Sequence, residues 1–171
     1  MNQGYTLDEL NTTPDRAQLR ARLGACCAAH SWVERIIAGR PYGDLAGLAA
    51  ESDAATADLD EAGVDEALAG HPRIGERETE HVGSWSKQEQ AGMSSADDTV
   101  RADMAAANAE YEQRFGHVYL VCATGKSATE LRDLCRARLH NDPQTERGVV
   151  LSELAKINKL RLGKLLDAEL S

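Results

Sequence analysis

The chain has 171 residues, a length that fits one domain, so we expect residues 1–171 to fold as a single domain. Its 28 acidic and 19 basic residues give a formal net charge of -9, which argues against nucleic acid or an anionic membrane as the main partner. No apolar run approaches the roughly 18 residues that a membrane span needs, and no signal peptide is visible, so the expected location is the cytoplasm.

The first half of the chain predicts several short helices. One is expected to begin at Thr13, with Pro14 in its first turn. A second is expected to begin at Ser31, which matches the first position of a capping box, and Asp44 can cap a third. Residues 63–70 are predicted to form one or two short turns.

The second half predicts longer helices separated by one apolar segment. Ser95 is predicted to cap a long helix that ends at Gly116. Residues 117–124 are the only β-like run, and alone they could form only an extended segment. Ser127 begins another capping box, and the last helix is predicted over 142–166. The expected fold is all-α, a single-domain helical bundle with one short extended segment near 117–124.

Two patterns could indicate a ligand site, but their spacing argues against both. Residues 124–127 read TGKS, yet a phosphate-binding loop needs a glycine at the position of Leu120. His71, His81 and the glutamates between them lack the spacing of a metal-ligand set, so no metal is expected. No C-x-x-C pair is present, and the cysteines are expected to be buried thiols: Cys26, Cys27, Cys122 and Cys135.

His71 is the first candidate for chemistry. It lies between Gly70 and Pro72, and the proline favours an extended backbone at His71, so the imidazole should project from a rigid corner. Taken alone, the histidine is more simply explained as a cap on the preceding helix or as part of a surface turn. Arg73 and Glu76 have a similar structural interpretation, as solvated charges near a helix end.

Glu89 and Gln90 are the second candidate. Ser86 and Glu89 have the spacing of a capping box, which would explain both residues without any function. Gln90 is not needed for that cap. A polar pair near a helix start can also bind anionic groups, because the backbone amides there are exposed.

Arg161 is the third candidate, because it interrupts an apolar stripe on the last helix. At about 100° per residue, position 161 falls within about 20° of Leu154, near the middle of the stripe. A guanidinium in a core needs a carboxylate or a wet cavity, since an unpaired buried charge is very costly. A structural interpretation is also open: Arg161 could extend its charge to solvent at the helix end or pair with a structural glutamate.

These residues lie within motifs that closely resemble one known family, the OHCU decarboxylases (2-oxo-4-hydroxy-4-carboxy-5-ureidoimidazoline decarboxylases) of urate breakdown. The resemblance covers nearly the whole chain, with the motifs in the family order. They are LNTTP at 10–14, CC at 26–27, GRPY at 39–42, HPRIG at 71–75, S-x-x-E-Q at 86–90, YEQRFG…NDPQTE at 111–146 and ELAKINKLRLGKLL at 153–166.

The resemblance implies an all-α fold, commonly a homodimer, that needs no metal or organic cofactor. It implies the stereospecific conversion of OHCU to (S)-allantoin and CO2. The family's catalytic residues correspond to His71, Glu89 and Arg161. Its substrate-binding residues correspond to Pro72, Ser86 and Gln90, with backbone groups of the segment Gly116, His117, Val118, Tyr119, Leu120 and Val121. His117 departs from the family, which usually has an aromatic residue there.

Two other functions remain open from the sequence. A noncatalytic helical binding protein would show the same apolar stripes and capping boxes, although the joint presence of His71, Glu89 and Arg161 disfavours it. A decarboxylase or hydrolase of a related ureido acid is the second alternative.

Overall fold

The computed structural model describes residues 5–75, 84–94 and 96–170, without the side chains of residues 84, 86, 87 and 94. All regular elements within these ranges are helices, which confirms the predicted all-α fold. In chain order they are α1 Leu7–Thr12, α2 Arg16–Cys26, α3 His30–Ala38, α4 Leu45–Ala57, α5 Glu61–Ala69, α6 Ser84–Glu89, α7 Ala91–Ser94, α8 Asp98–Phe115, α9 Ala128–Arg138 and α10 Pro143–Leu166. None of the helices described has the length and apolar composition of a membrane span.

The helices form two compact units, and the first comprises Met1–Gly70 and Leu154–Ser171. Within it α3 packs against α2, α4 and α5. The core side of α3 includes Trp32 and Ile36, both fully buried. Leu154 and Leu162, from the C-terminal part of α10, are fully buried as well.

The second unit comprises His71–Glu153, and its main contact joins α8 to α9. Its apolar core includes Met104 and Tyr111 from α8 and Leu131 from α9. α8 ends at Gly116 as predicted, since this residue has a φ of 79°, which favours glycine. The segment 117–123 that follows is neither helix nor strand, in agreement with the single non-helical apolar segment expected there.

Two predicted helix starts in the first unit are wrong. Thr13 ends α1 instead of beginning α2, because Asp15 accepts hydrogen bonds from the first amides of α2. α1 itself was not predicted. Ser31 lies inside α3, which begins at His30 after Ala29, a residue without a side-chain cap. Asp44 caps α4 through the amide of Gly47, as predicted.

Three further helix starts differ from the predictions. Residues 63–69 belong to a regular helix, α5, which Asp60 caps, and Gly70 is its C-cap. Ser95 lies outside the described residues, and α8 is capped by Asp97, which accepts from the amide of Val100. Ser86 does not cap α6, since this helix begins at Ser84. The predicted capping box at Ser127 is confirmed.

The four cysteines are free and buried, as predicted. Burial raises the pKa of the Cys26 thiol and that of the Cys135 thiol to about 12 each. Both thiols are therefore protonated, and hence weak nucleophiles, near neutral pH.

Candidate functional site

His71 is half-buried and begins a loop, 71–75, directly after the helix α5 ends at Gly70. Two side chains bind the backbone of this loop. The Gln90 amide accepts a hydrogen bond from the Gly75 N–H at 2.9 Å and donates to the Arg73 carbonyl at 3.4 Å. The Asn108 amide of α8, itself buried, donates to the Ile74 carbonyl at 2.9 Å. The loop that carries His71 is thus held at three consecutive residues.

Arg73 also fixes the loop, since its Nε donates to Glu112 of α8 at 2.7 Å. Because the Arg73 side chain is about half exposed (52%), this pair is a supporting surface contact rather than part of a buried site. A cavity of about 210 Å³ lies beside the pair, lined by residues 73–75 and by α8 residues that include Arg101 and Asn108. Glu76, which the sequence placed beside Arg73, lies outside the described residues.

Glu89 ends α6 and is buried, with 8% of its surface exposed. Burial first, then Glu153, raises the pKa of the Cys122 thiol, and Glu89 adds to the same shift, which indicates that Glu89 lies near the segment 117–123. Gln90 follows directly and binds the His71 loop, so its amide already has a structural role. The Ser86 side chain lies outside the described part of the chain.

Most residues of the segment 117–123, which belongs to the second unit, are buried. Tyr119, Leu120 and Val121 are each less than 5% exposed, whereas His117 and Val118 are half-buried. Among the residues that the structure describes, the amides of 118–122 donate to no backbone carbonyl. Buried amides normally have hydrogen-bond partners, so this stretch of backbone is a candidate for binding a ligand or water.

A buried ion pair next to this segment was not identified from the sequence. Arg138 and Glu146 are 7% and 1% exposed, and Nη2 of Arg138 lies 2.5 Å from Oε1 of Glu146. Nη1 of Arg138 donates to the Leu120 carbonyl at 2.6 Å. The available signal was helical spacing, because Arg138 lies seven residues after Leu131 and three after Cys135, on the apolar face of α9.

Two tyrosines complete this buried network. The Tyr111 hydroxyl donates to Oε1 of Glu146 at 2.5 Å, and the Tyr119 hydroxyl donates to the Leu131 carbonyl at 3.0 Å. Burial is the largest cause that raises the pKa of both tyrosines, and the hydrogen bond to Glu146 adds to the shift of Tyr111. Both hydroxyls therefore stay protonated and act as donors.

Arg161 belongs to the first unit and is 5% exposed, which confirms that its position on α10 faces the interior. Burial raises the pKa of the neighbouring thiols of Cys26 and Cys27, and the positive charge of Arg161 partly opposes this. One turn earlier on α10, Asn158 donates to the Thr56 hydroxyl at 3.1 Å, a fully buried contact to α4.

The predicted site residues therefore divide between the units. Six of the predicted groups lie in the second unit: His71, Pro72, Ser86, Glu89, Gln90 and the segment 116–121. Arg161 lies in the first. Their roles in catalysis and binding stay predictions.

The described residues contain no group of three or more His, Cys, Asp or Glu side chains that could hold a metal ion. Residues 76–81, which formed most of the metal set considered from the sequence, lie outside the described part of the chain.

Comparison with known sequences points to one family. The sequence model of a family described as OHCU decarboxylase matches residues 12–163. A 2-oxo-4-hydroxy-4-carboxy-5-ureidoimidazoline decarboxylase of Mus musculus is 34% identical over 134 residues, which cover 75% of this chain and 75% of that protein. A uric acid degradation bifunctional protein of Bacillus subtilis is 27% identical over 163 residues, which cover 95% of this chain. This chain spans only 33% of the length of the bifunctional protein.

Comparison with solved structures supports the same fold. A crystal structure of an OHCU decarboxylase in the presence of (S)-allantoin matches with a TM-score of 0.72 and 21% identity, covering 84% of this chain and 96% of that one. A crystal structure of an (S)-allantoin synthase matches with a TM-score of 0.70 and 19% identity, covering 95% of this chain and 54% of that one.

Proposed function

Because the chain belongs to the OHCU decarboxylase family, we propose that it decarboxylates OHCU to (S)-allantoin and CO2 in urate degradation. The observation that carries the proposal is the family match over residues 12–163, which includes all three predicted catalytic positions. The predicted family is thereby confirmed, and with it the enzyme class, a carboxy-lyase.

The reaction needs an electron sink and three proton movements. When the bond from C4 to the carboxylate breaks, its electron pair forms a C4=C5 double bond, and the π pair of the adjacent C5=N bond moves to that nitrogen, which takes up a proton. The C4 hydroxyl then loses its proton to become a carbonyl, and a proton is added to C5 on one face. Since the substrate supplies the sink, the protein has only to orient the carboxylate and move these protons.

We assign the proton steps to His71 and Glu89. A histidine suits proton transfer near neutral pH, because its unperturbed pKa is about 6.5. Glu89 is buried and lies near the segment 117–123 of the same unit. Arg161, which is buried in its own unit, is assigned to an anionic partner, either the substrate carboxylate or a catalytic carboxylate.

We assign substrate binding to Pro72, Ser86, Gln90 and the backbone of 116–121. Support comes from the amides of 118–122, which donate to no backbone carbonyl within the described residues and can bind ureido or ring carbonyls. Gln90 is already bound to the His71 loop, and each of its amide atoms can form one further hydrogen bond to a ligand.

The decisive test is optical, because OHCU decays spontaneously to racemic allantoin. Freshly prepared OHCU should yield (S)-allantoin with the wild-type protein, as measured by circular dichroism of the product. His71→Asn and Glu89→Gln should each lower kcat by at least about 100-fold, the usual scale for one general acid or base. The matched controls are His140→Asn and Glu110→Gln, since both residues are exposed and belong to the second unit.

The outcomes separate the alternatives. Wild-type rates in both His71→Asn and Glu89→Gln would refute the catalytic assignment. Racemic product from the wild-type protein, combined with measurable allantoin binding, would favour a noncatalytic binding protein. A panel of related ureido acids would reveal a different substrate.

We also propose a homodimer, which the family resemblance implies, and analytical ultracentrifugation at micromolar concentration tests it. The single-domain organisation and the cytoplasmic location stay predictions, which limited proteolysis and cell fractionation would check.

A further inference from the structure

We propose that Arg138 and Glu146 are positioning residues for substrate binding, because they fix the backbone of 117–121. The inference rests on the proposed function, in which this segment binds the substrate. It adds two residues that would act without touching the substrate.

All three guanidinium nitrogens of Arg138 donate hydrogen bonds in the network that fixes this segment. Nε and Nη2 both donate to Oε1 of Glu146, at 2.8 and 2.5 Å, while Nη1 donates to the Leu120 carbonyl at 2.6 Å. The guanidinium also lies over the ring of Tyr119, with 4.9 Å between Cζ and the centroid. A single rigid group therefore holds two adjacent residues of the segment.

Glu146 in turn holds Arg138 in one orientation. Its Oε1 accepts from Tyr111 as well as Arg138, and its Oε2 accepts from the Asn141 amide at 2.9 Å. Because both carboxylate oxygens are occupied and the residue is 1% exposed, the ion pair has little freedom to rearrange.

Stability alone does not explain such a pair. Removing two charges from water costs about as much as their attraction returns, so apolar residues of similar size often stabilise a core equally well. What apolar residues cannot do is donate to the Leu120 carbonyl. The segment has no ladder of backbone hydrogen bonds to fix it, since within the described residues its amides 118–122 pair with no carbonyl. Its geometry therefore depends on side chains.

The experiment replaces the network by apolar residues in the full-length chain. The variant Tyr111→Phe/Arg138→Met/Glu146→Leu removes the charges together with the hydroxyl that would lose its acceptor. We expect a cooperative urea transition to remain, with KM for OHCU raised at least tenfold and kcat within about threefold of wild type. NMR order parameters of amides 118–122 should fall from about 0.85 toward 0.6.

If the triple variant fails to fold, the single conservative variant Arg138→Lys tests the inference. Arg138→Lys keeps the charge but cannot reach Glu146 and Leu120 together, so KM should rise several-fold. Arg136→Lys is the matched control, since Arg136 lies on the same helix, has a half-exposed side chain and pairs with Asp103 at 3.8 Å. Its KM should not change.

Wild-type KM and unchanged order parameters, in the folded triple variant or in Arg138→Lys, would overturn the inference. Racemic allantoin from the wild-type protein would instead refute the proposed function. The order parameters would then decide by themselves whether the network restrains the segment.

Discussion

Gly92 allows a sharp test of packing beside the candidate site. Its substitution by alanine should destabilise the protein, whereas the same substitution at an exposed helical position should stabilise it. A Cβ at Gly92 in α7 would overlap the carbonyl oxygen of Lys126 and lie 3.2 Å from its carbonyl carbon. It would also lie 3.3 Å from the Cα of Ser127. All three atoms belong to the backbone, so no rotamer change can relieve the contact.

The size of the change in the free energy of unfolding follows from two opposing contributions. Replacing a helical glycine by alanine stabilises a protein by about 0.5–1 kcal/mol when space is available. Overpacking costs about 1–3 kcal/mol. Gly148 lies exposed in α10 with nothing within 4 Å of its Cβ position, so Gly148→Ala should gain the first amount. Gly92→Ala should lose about 1–2 kcal/mol, which separates the two variants by roughly 1.5–3 kcal/mol.

Urea unfolding, monitored by the circular dichroism signal of the helices, measures the free energy of unfolding of both variants. A shift of α7 away from Lys126 would also move Glu89, which precedes α7 by two residues. We therefore expect Gly92→Ala to lower kcat as well, whereas Gly148→Ala keeps it. Equal unfolding free energies for the two variants would refute the contact between α7 and the backbone at Lys126.

Two further predictions concern buried groups. Asn108→Asp should destabilise the protein by about 1–3 kcal/mol at pH 7, because a carboxylate would face the Ile74 carbonyl instead of donating to it. The loss should shrink as pH falls from 7 to 4, because burial favours the neutral carboxyl, which can donate, and urea unfolding at pH 7 and pH 4 measures this change. For Cys26, a folded pKa of about 12 means that stability is fully present below the unfolded pKa, near 9, and falls as pH rises toward 12. Urea midpoints between pH 8 and pH 11 should therefore decline, and less steeply in Cys26→Ala.

Each of these two predictions has an outcome that contradicts it. Equal stability of Asn108→Asp and wild type at both pH values would show that the bond to Ile74 does not form. An alkaline decline of the same slope in Cys26→Ala and wild type would show that this thiol is not buried in the folded state.

Local sequence determined a large part of the fold. Asp44 and Ser127 were correctly identified as helix caps, and Gly116 as a helix end, because these contacts join residues within four positions of one another. Helical spacing likewise predicted the burial of Arg161. The prediction of caps failed where several polar residues compete. Thr13 and Asp15 are both good caps, and only Asp15 caps α2.

The tertiary structure decided the rest. The pairing of Arg138 with Glu146 crosses from α9 to α10, and Gln90 reaches Gly75 over 15 residues of chain. A sequence pattern indicates which face of a helix is buried, but it does not indicate which distant segment covers that face. Caps and periodicity act within one or two helical turns, so the sequence by itself determined most of the helices and the candidate residues. Contacts between distant segments depend on how the helices pack, and only the folded chain placed Gln90 and Asn108 on the loop that carries His71 and Arg138 on the segment after Gly116.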